Sequence, residues 1–421
     1  MPESDAPNLV PPKANASTHD DDAVPRVPNL QLPQLAFDLE RATSERREQA
    51  QQQLKAAAEL DAMAPYCEML MAAGMLEHDS TLIKSLKGKN ENHLRALQDK
   101  LDDARINLGE SEVGDALRAR ATYLAQIGEK ETAVAAHEEA IEQTPGLGTK
   151  IDLRLAMIRI GFFHGDHALI STNIEETQKL VDEGGDWDRR NRLKAYEGLH
   201  LLSVRNFKRG GQLLLDVLST FTATELVEYD DFVSLCVLAG AFFLDRKDLK
   251  KKVESRDHSS ATVELIEFGL QIIDAPEVIA LIPNMPSLKS YCDSLWKCEY
   301  AAFFQALARV EETHLLSSRL LSPHARYYVR EMRIKAYAQL LESYSSVTLS
   351  SLCQAFGVSE AFMDADLARF IAAGRLNCSI DRVNGIVTTN RPDSKNARYA
   401  SVIKQGDVVL TAVQRLSRVI G

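Results

Sequence analysis

The sequence predicts a mainly α-helical protein, in which stacked helix pairs are followed by a small helical module with a β-hairpin and then by a C-terminal helix. Three observations predict this fold class. The 421 residues include only 21 Gly and 14 Pro, a composition that favours helix. Turn residues recur at spacings of 37 and 41 in the first half. Near residue 376 the apolar period changes from that of a helix to that of a strand.

The first 33 residues differ in composition from the rest of the chain. They contain seven of the 14 prolines and three consecutive aspartates at 20–22, but no aromatic side chain. Such a segment buries too little apolar surface to offset the entropy lost on ordering. We therefore expect residues 1–33 to form a disordered tail.

Residues 34–220 are predicted to form helical repeats. A long amphipathic helix comes first, because apolar residues recur there at steps of three and four: Leu94, Leu97, Leu101, Ala104 and Leu108. Three similar segments then turn at Gly128, Gly165 and Asn206, spacings slightly above the period of about 34 residues for tetratricopeptide repeats. Small residues after Gly128 would let paired helices approach closely. The pattern favours a TPR-like, right-handed solenoid over an irregular helical bundle, which predicts nearly the same helices.

Residues 221–391 are predicted to continue as helices to 345 and to end in a winged helix over 346–391. One apolar stripe ends at Gly357, and Ser359 then begins a second helix that runs to Gly374. Asn384-Gly385 is a strong hairpin signal between two segments of strand spacing. Helix, turn, helix and two-stranded wing together make a winged helix.

The last segment, residues 392–421, is predicted to be a helix that follows Pro392. Its apolar stripe consists of Val409, Val413, Leu416 and Ile420, and no later element covers it. Such a stripe either folds back on its own domain or packs with helices of partner chains.

The charge balance argues against nucleic acid and membranes as partners. The net charge is −11, from 49 Lys and Arg against 60 Asp and Glu, whereas phosphate affinity requires basic residues. On the second winged-helix helix, Glu360, Asp364 and Asp366 oppose only Arg369, which favours the protein-binding form of this fold. The longest mostly apolar run, residues 232–244, is shorter than the roughly 20 residues that span a bilayer.

No pattern in the sequence predicts catalysis, a cofactor or a metal. The segment 145–150 lacks the order of a phosphate-binding loop, and His164 and His167 lack a distant third ligand. There is no serine-hydrolase elbow and no metalloprotease signature. The six cysteines include no C-x-x-C pair, so we expect reduced thiols in a cytosolic or nuclear protein, and no secretory signal is visible.

Tyr327 and Arg330 begin a helix with the side-chain types that anchor protein interfaces. They are candidates for partner contact. Tyr327 could equally belong to the core seam between the solenoid and the winged helix.

A solenoid that ends in a winged helix and a further helix resembles the PCI-domain family. This family supplies scaffold subunits to the proteasome lid, the COP signalosome and a translation-initiation factor complex. Four segments resemble the proteasome-lid members in particular, and the resemblance runs from about Met63 to the C-terminus. They are residues 183–194, 327–334, 369–376 and 389–396.

The resemblance implies a non-catalytic scaffold in the lid of the proteasome regulatory particle, a hetero-oligomer of cytoplasm and nucleus that serves ubiquitin-dependent degradation. Its partners would be other PCI lid subunits, the base and the ATPase ring. Winged helices would pair edge to edge through strand residues such as Ile386 and Val387, and the C-terminal helix would join a bundle. A COP signalosome subunit is the alternative with the same architecture. A winged-helix nucleic-acid binder, using Arg375, Arg382 or Arg391, is an alternative of another class.

Overall fold

The computed structural model describes residues 24–41, 44–244, 275–390, 399, 402–411 and 413–414. Helices account for most of these residues, and a small sheet lies near the end of the chain. None of the helices in the described part of the chain is long and apolar enough to cross a membrane.

The first half consists of helices that pack in sequential pairs. They are α1 (Gln31–Arg41), α2 (Ser44–Leu60), α3 (Ala64–Ala72), α4 (Ser80–Asn107), α5 (Glu110–Gln126), α6 (Lys130–Gln143), α7 (Leu147–His164), α8 (His167–Gly184), α9 (Trp187–Ser203), α10 (Phe207–Asp216) and α11 (Tyr229–Phe243). The closest pairs are α5 with α6, α7 with α8 and α9 with α10, and each pair also contacts the next. This arrangement confirms the predicted helical-repeat solenoid.

The turns of the three pairs lie where the sequence predicts them. Gly128 and Gly165 have φ of 81° and 70°, a left-handed conformation that glycine adopts without steric cost. In the third turn the left-handed residue is Arg205, with φ of 70°, and Asn206 instead caps α10 by accepting a hydrogen bond from the backbone N–H of Arg209. Asn206 thus marks the turn through its capping side chain.

The long amphipathic helix is α4, with one error in the predicted stripe. Leu97, Leu101 and Ala104 are buried, but Leu108 is 55% exposed. Leu108 has extended backbone at the C-cap, so it no longer follows the helical period.

Residues 24–33 correct the predicted tail. Pro28 and Leu32 are buried, and α1 already begins at Gln31. Leu32, Ala36 and Leu39 form an apolar face that packs against α2 and α3, so the tail prediction is wrong for residues 24–33. Residues 1–23 lie outside the described part of the chain.

The second half begins with helices α12 (Pro276–Leu281), α13 (Pro286–Lys297), α14 (Tyr300–Val310) and α15 (Ala325–Ser343). A π-helical turn, Glu311–Leu315, follows α14. One apolar cluster extends from Ile151 in α7 to Val387 near the end of the chain. The predicted division at residue 220 therefore does not separate two cores.

A winged helix follows α15. Its elements are β1 (Ser346–Thr348), α16 (Leu349–Phe356), α17 (Glu360–Ala372), β2 (Cys378–Asp381) and β3 (Ile386–Thr389). The strands form an antiparallel sheet in the order β1-β3-β2. Gly357 ends α16 and Gly385 forms the hairpin turn, both with positive φ, as the sequence predicts. Sequence reasoning missed β1, because three residues are too short for a strand period.

Candidate protein-interaction surfaces

The C-terminal helix presents an exposed apolar surface. Residues 402–411 are helical, and Val409 and Val413 are 61% and 56% exposed. Five further apolar side chains in this segment are exposed: Tyr399, Val402, Ile403, Val408 and Leu410. Leu416 and Ile420, the other two residues of the predicted stripe, lie outside the described residues. So many exposed apolar side chains in one short segment are typical of an interaction site.

The wing strand β3 does not offer a free edge, which corrects the prediction for Ile386 and Val387. Ile386 pairs with Thr348 of β1 on one side and with Asp381 of β2 on the other. Val387 is fully buried, and Ile386 is half-buried. Because β3 is the central strand, its hydrogen-bonding groups are already used. The strands that border this sheet are β1 and β2, so any added strand would pair with one of them.

Tyr327 lies in a seam between the solenoid and α15. Its ring stacks on that of Phe207 at a centroid distance of 6.1 Å, and the guanidinium of Arg205 lies 5.1 Å from its centroid. The guanidinium of Arg330 also lies 5.1 Å from the centroid of the Tyr327 ring, and the Arg330 side chain is exposed. Tyr327 therefore contributes to packing within the chain, and Arg330 is the member of the pair that a partner can reach.

The acidic residues of α17 are not equivalent. Asp366 is 2% exposed, accepts a hydrogen bond from the Tyr337 hydroxyl at 3.1 Å and pairs with Arg333 at 3.2 Å. The expectation that Asp366 belongs to an outward acidic face is wrong, because α17 turns this residue toward α15. Asp364 is nearer the surface and pairs with Arg382 of the wing at 2.9 Å.

Two of the arginines considered for nucleic-acid binding are held by carboxylates. Arg382 pairs with Asp364, and Arg375 donates to both carboxylate oxygens of Glu331, one of them at 3.0 Å. The hydrogen bonds to Glu331 raise the pKa of Arg375. Arg391 lies outside the described residues. Phosphate binding would have to compete with these ion pairs.

Glu331 and Arg333 join α15 to the winged helix, a link that was not predicted from the sequence. Glu331 binds Arg375, and Arg333 binds Asp366. The one signal available was the presence of charged residues in a helix that is otherwise rich in aromatic side chains. Their partners are 44 and 33 residues further along the chain, a separation that no local pattern encodes.

A helical-repeat solenoid whose core continues into a winged helix, with an exposed helix after it, defines a PCI-type scaffold protein. Family models match three parts of the chain: 26S proteasome subunit RPN7 over residues 79–252, the PCI domain over 292–391, and the 26S proteasome regulatory subunit RPN7/PSMD6 C-terminal helix over 398–420. The last match coincides with the exposed helix.

Comparison with curated proteins is more specific. The chain is 45% identical to 26S proteasome non-ATPase regulatory subunit 6 of Oryza sativa, over 87% of this chain and 89% of that protein. It is 44% identical to the Arabidopsis thaliana homolog of that subunit, over 85% and 87% of the two chains. The chain belongs to the family of 26S proteasome non-ATPase regulatory subunit 6, also called RPN7.

The chain is also similar, at lower identity, to a subunit of the COP9 signalosome. COP9 signalosome complex subunit 1 of Arabidopsis thaliana is 24% identical over 51% of this chain and 45% of that protein. The match covers about half of each chain, whereas the proteasome subunits match most of theirs. The comparison therefore favours the proteasome family over the alternative of the same architecture.

Proposed function

We propose that this chain is a non-catalytic scaffold subunit of the lid of the 26S proteasome regulatory particle. It assembles with other PCI lid subunits through its winged helix and C-terminal helix, contacts the base and the ATPase ring, and supports ubiquitin-dependent degradation in cytoplasm and nucleus. The observation that carries the proposal is the set of exposed apolar side chains in residues 402–411 and at Val413, a segment that matches the C-terminal helix of this family.

Leaving these apolar side chains in water costs free energy. Burying a Val or Leu side chain is worth about 1.5–3 kcal/mol. Seven apolar side chains between Tyr399 and Val413 are more than half exposed. A helix bundle with partner subunits would bury them, as an amphipathic helix does in a hydrophobic groove.

Two buried tyrosines link helices α11, α13 and α15 through hydrogen bonds, which is a structural role. The hydroxyls of Tyr291 and Tyr328 lie 2.8 Å apart, and Tyr328 donates to the carbonyl of Leu238. Burial raises the pKa of both phenols well above the usual range. Both hydroxyl groups therefore remain protonated and form hydrogen bonds within the core.

The test is incorporation of the full-length chain into a native complex. We expect V409D/V413D to stay out of lid-sized particles in sedimentation, because two carboxylates on the apolar surface would have to be desolvated. The matched control is Q405D/Q414D, which places carboxylates on exposed polar positions of the same segment. Circular dichroism should show equal helix content in both variants.

Normal co-sedimentation of V409D/V413D would contradict the proposal, as would equal exclusion of the control. Mass spectrometry of the recovered particle distinguishes the two complexes of this architecture. ATPase and base subunits support the proteasome, and cullins would point to the signalosome.

A further inference from the structure

Helix α1 has two faces of different chemistry. Leu32, Ala36 and Leu39 are buried in a cluster with side chains of α2 and α3. We call α1 to α4 the N-terminal unit; Phe163 of α7 packs into the same cluster, with its ring centroid 4.8 Å from that of Tyr66. The opposite face of α1 carries Gln31, Gln34 and Arg41.

The polar face of α1 binds the turn at residues 316–319, which leads from the π-helical turn toward α15. Gln34 donates through Nε2 to the carbonyl of Ser317 at 2.8 Å, and its Oε1 accepts from the backbone N–H of Arg319 at 3.0 Å. Arg41 donates to the carbonyl of Leu316. These partners are 275 to 285 residues from α1 along the chain. The first helix of the solenoid is thus hydrogen-bonded to the second half of the molecule.

The same turn also reaches the solenoid. Arg319 donates to the carbonyl of Phe162, near the end of α7, at 2.5 Å. Burial lowers the pKa of the Arg319 guanidinium, so this group depends on its hydrogen bonds. The turn at 316–319 is therefore a junction where α1, α7 and the PCI part (α12 to β3) meet.

Close apolar packing does not fill this junction. A cavity of about 780 Å³ lies between α1 and the body of the protein, and its apolar lining includes Leu30, Leu35, Phe162, Leu235 and Leu321. Asp38, also on its border, has a pKa raised by burial. The contact between α1 and the PCI part thus rests on polar groups, in contrast to the closely packed opposite face of α1.

We propose that the polar face of α1 is a latch that fixes the curvature of the solenoid relative to the PCI part. The curvature of a solenoid is the sum of small rotations between its repeats. Hydrogen bonds from the first helix back to a later element therefore constrain the total rotation, and with it the curvature. Water can replace the latch hydrogen bonds when they open, and the apolar clusters on either side remain intact. The latch is a property of the isolated chain and does not rest on the lid assignment.

The test measures the distance between the N-terminal unit and the wing in the full-length chain. Labels are introduced through non-canonical amino acids at Glu91 on α4 and at Val383 in the wing turn, both exposed, so that the six cysteines stay unmodified. Single-molecule energy transfer should give one narrow distribution for the unsubstituted chain. Q34A/R41A should add a second population at a longer distance.

The matched control is R47A/Q52A, which removes the same side-chain types from exposed positions of α2. It should keep the single narrow distribution. An unchanged distribution in Q34A/R41A would overturn the latch, as would an equal change in the control.

A second variant guards against a folding defect. Q34E keeps the size of the side chain but brings a carboxylate against the Ser317 carbonyl, so it should also populate the longer distance. Hydrogen exchange in α16 and α17 should match the unsubstituted chain in both latch variants. Faster exchange throughout the winged helix would mean that Gln34 and Arg41 are part of the global core, and this result would also overturn the latch.

Discussion

At the scale of single residues, two glycines decide how closely α9 and α10 approach. A Cβ added to Gly210 would lie 2.9 Å from the backbone oxygen of Gly198, and one added to Gly198 would lie 2.7 Å from the Leu214 side chain. The backbone oxygen of Gly198 cannot move away from the added carbon as the end of a flexible side chain could. Gly210 is therefore a packing requirement of this helix pair.

We expect G210A to lower the free energy of unfolding by about 1–3 kcal/mol, because the added methyl group forces the two helices apart. The control is G88A in α4, where nothing lies within 4 Å of the added carbon. That variant should raise stability by about 0.5–1 kcal/mol through helix propensity alone. Urea titration of both variants measures the difference, and a shift of the same sign in both would contradict the argument.

At the scale of elements, the winged helix is joined to α15 by a buried polar cluster. Asp366 of α17 binds Arg333 and Tyr337 of α15, and the Arg333 guanidinium also lies 6.0 Å from the centroid of the Phe370 ring. Asp364, two residues earlier on the same helix, pairs with the largely exposed Arg382. Helix α17 therefore carries two aspartate–arginine ion pairs, one buried and one at the surface.

We expect D366A to cost about 3 kcal/mol of stability, because it leaves the Arg333 charge in the interior without its carboxylate. D364A should cost less than about 1 kcal/mol, since Arg382 returns to water. Thermal unfolding monitored by circular dichroism compares the two variants. Equal losses would show that the buried pair does not join the winged helix to α15.

At the scale of the whole molecule, the later helices of the solenoid, α7 to α11, share one apolar cluster with the PCI part. Phe207 of α10 contacts His324, Tyr327 and Tyr328 at the start of α15, with centroid distances between 5.6 and 6.5 Å. His324 also bonds through Nε2 to the carbonyl of Ser203 at 2.7 Å. Aromatic contacts and a hydrogen bond therefore join the two parts at this seam.

Because one apolar cluster runs through both, we expect α7 to α11 and the PCI part to unfold in one cooperative transition. The chain has two tryptophans, Trp187 in the solenoid and Trp296 in the PCI part, so W187F and W296F each leave one reporter. Their fluorescence midpoints in urea should coincide. Separate midpoints would mean that the seam is weaker than its contacts indicate.

Local patterns in the sequence were sufficient for the helix pairs, their turns and the order of the winged helix. An amphipathic stripe, a left-handed glycine and an Asn-Gly hairpin each depend on residues within a few positions of one another. Val409 and Val413 of the predicted C-terminal stripe are exposed, and their contact with a partner stays a prediction. The family resemblance added the expected partners, and the comparisons established the family.

The sequence by itself therefore determined which segments are helices and strands, and where the chain turns. Only the tertiary structure decided that residues 24–33 pack against the body, that β3 is the central strand, and that Asp366 faces inward. Each of these depends on partners that are tens to hundreds of residues away along the chain. Periodicity reports which face of an element is apolar, but it does not report which distant element covers that face or which charge meets its counterion.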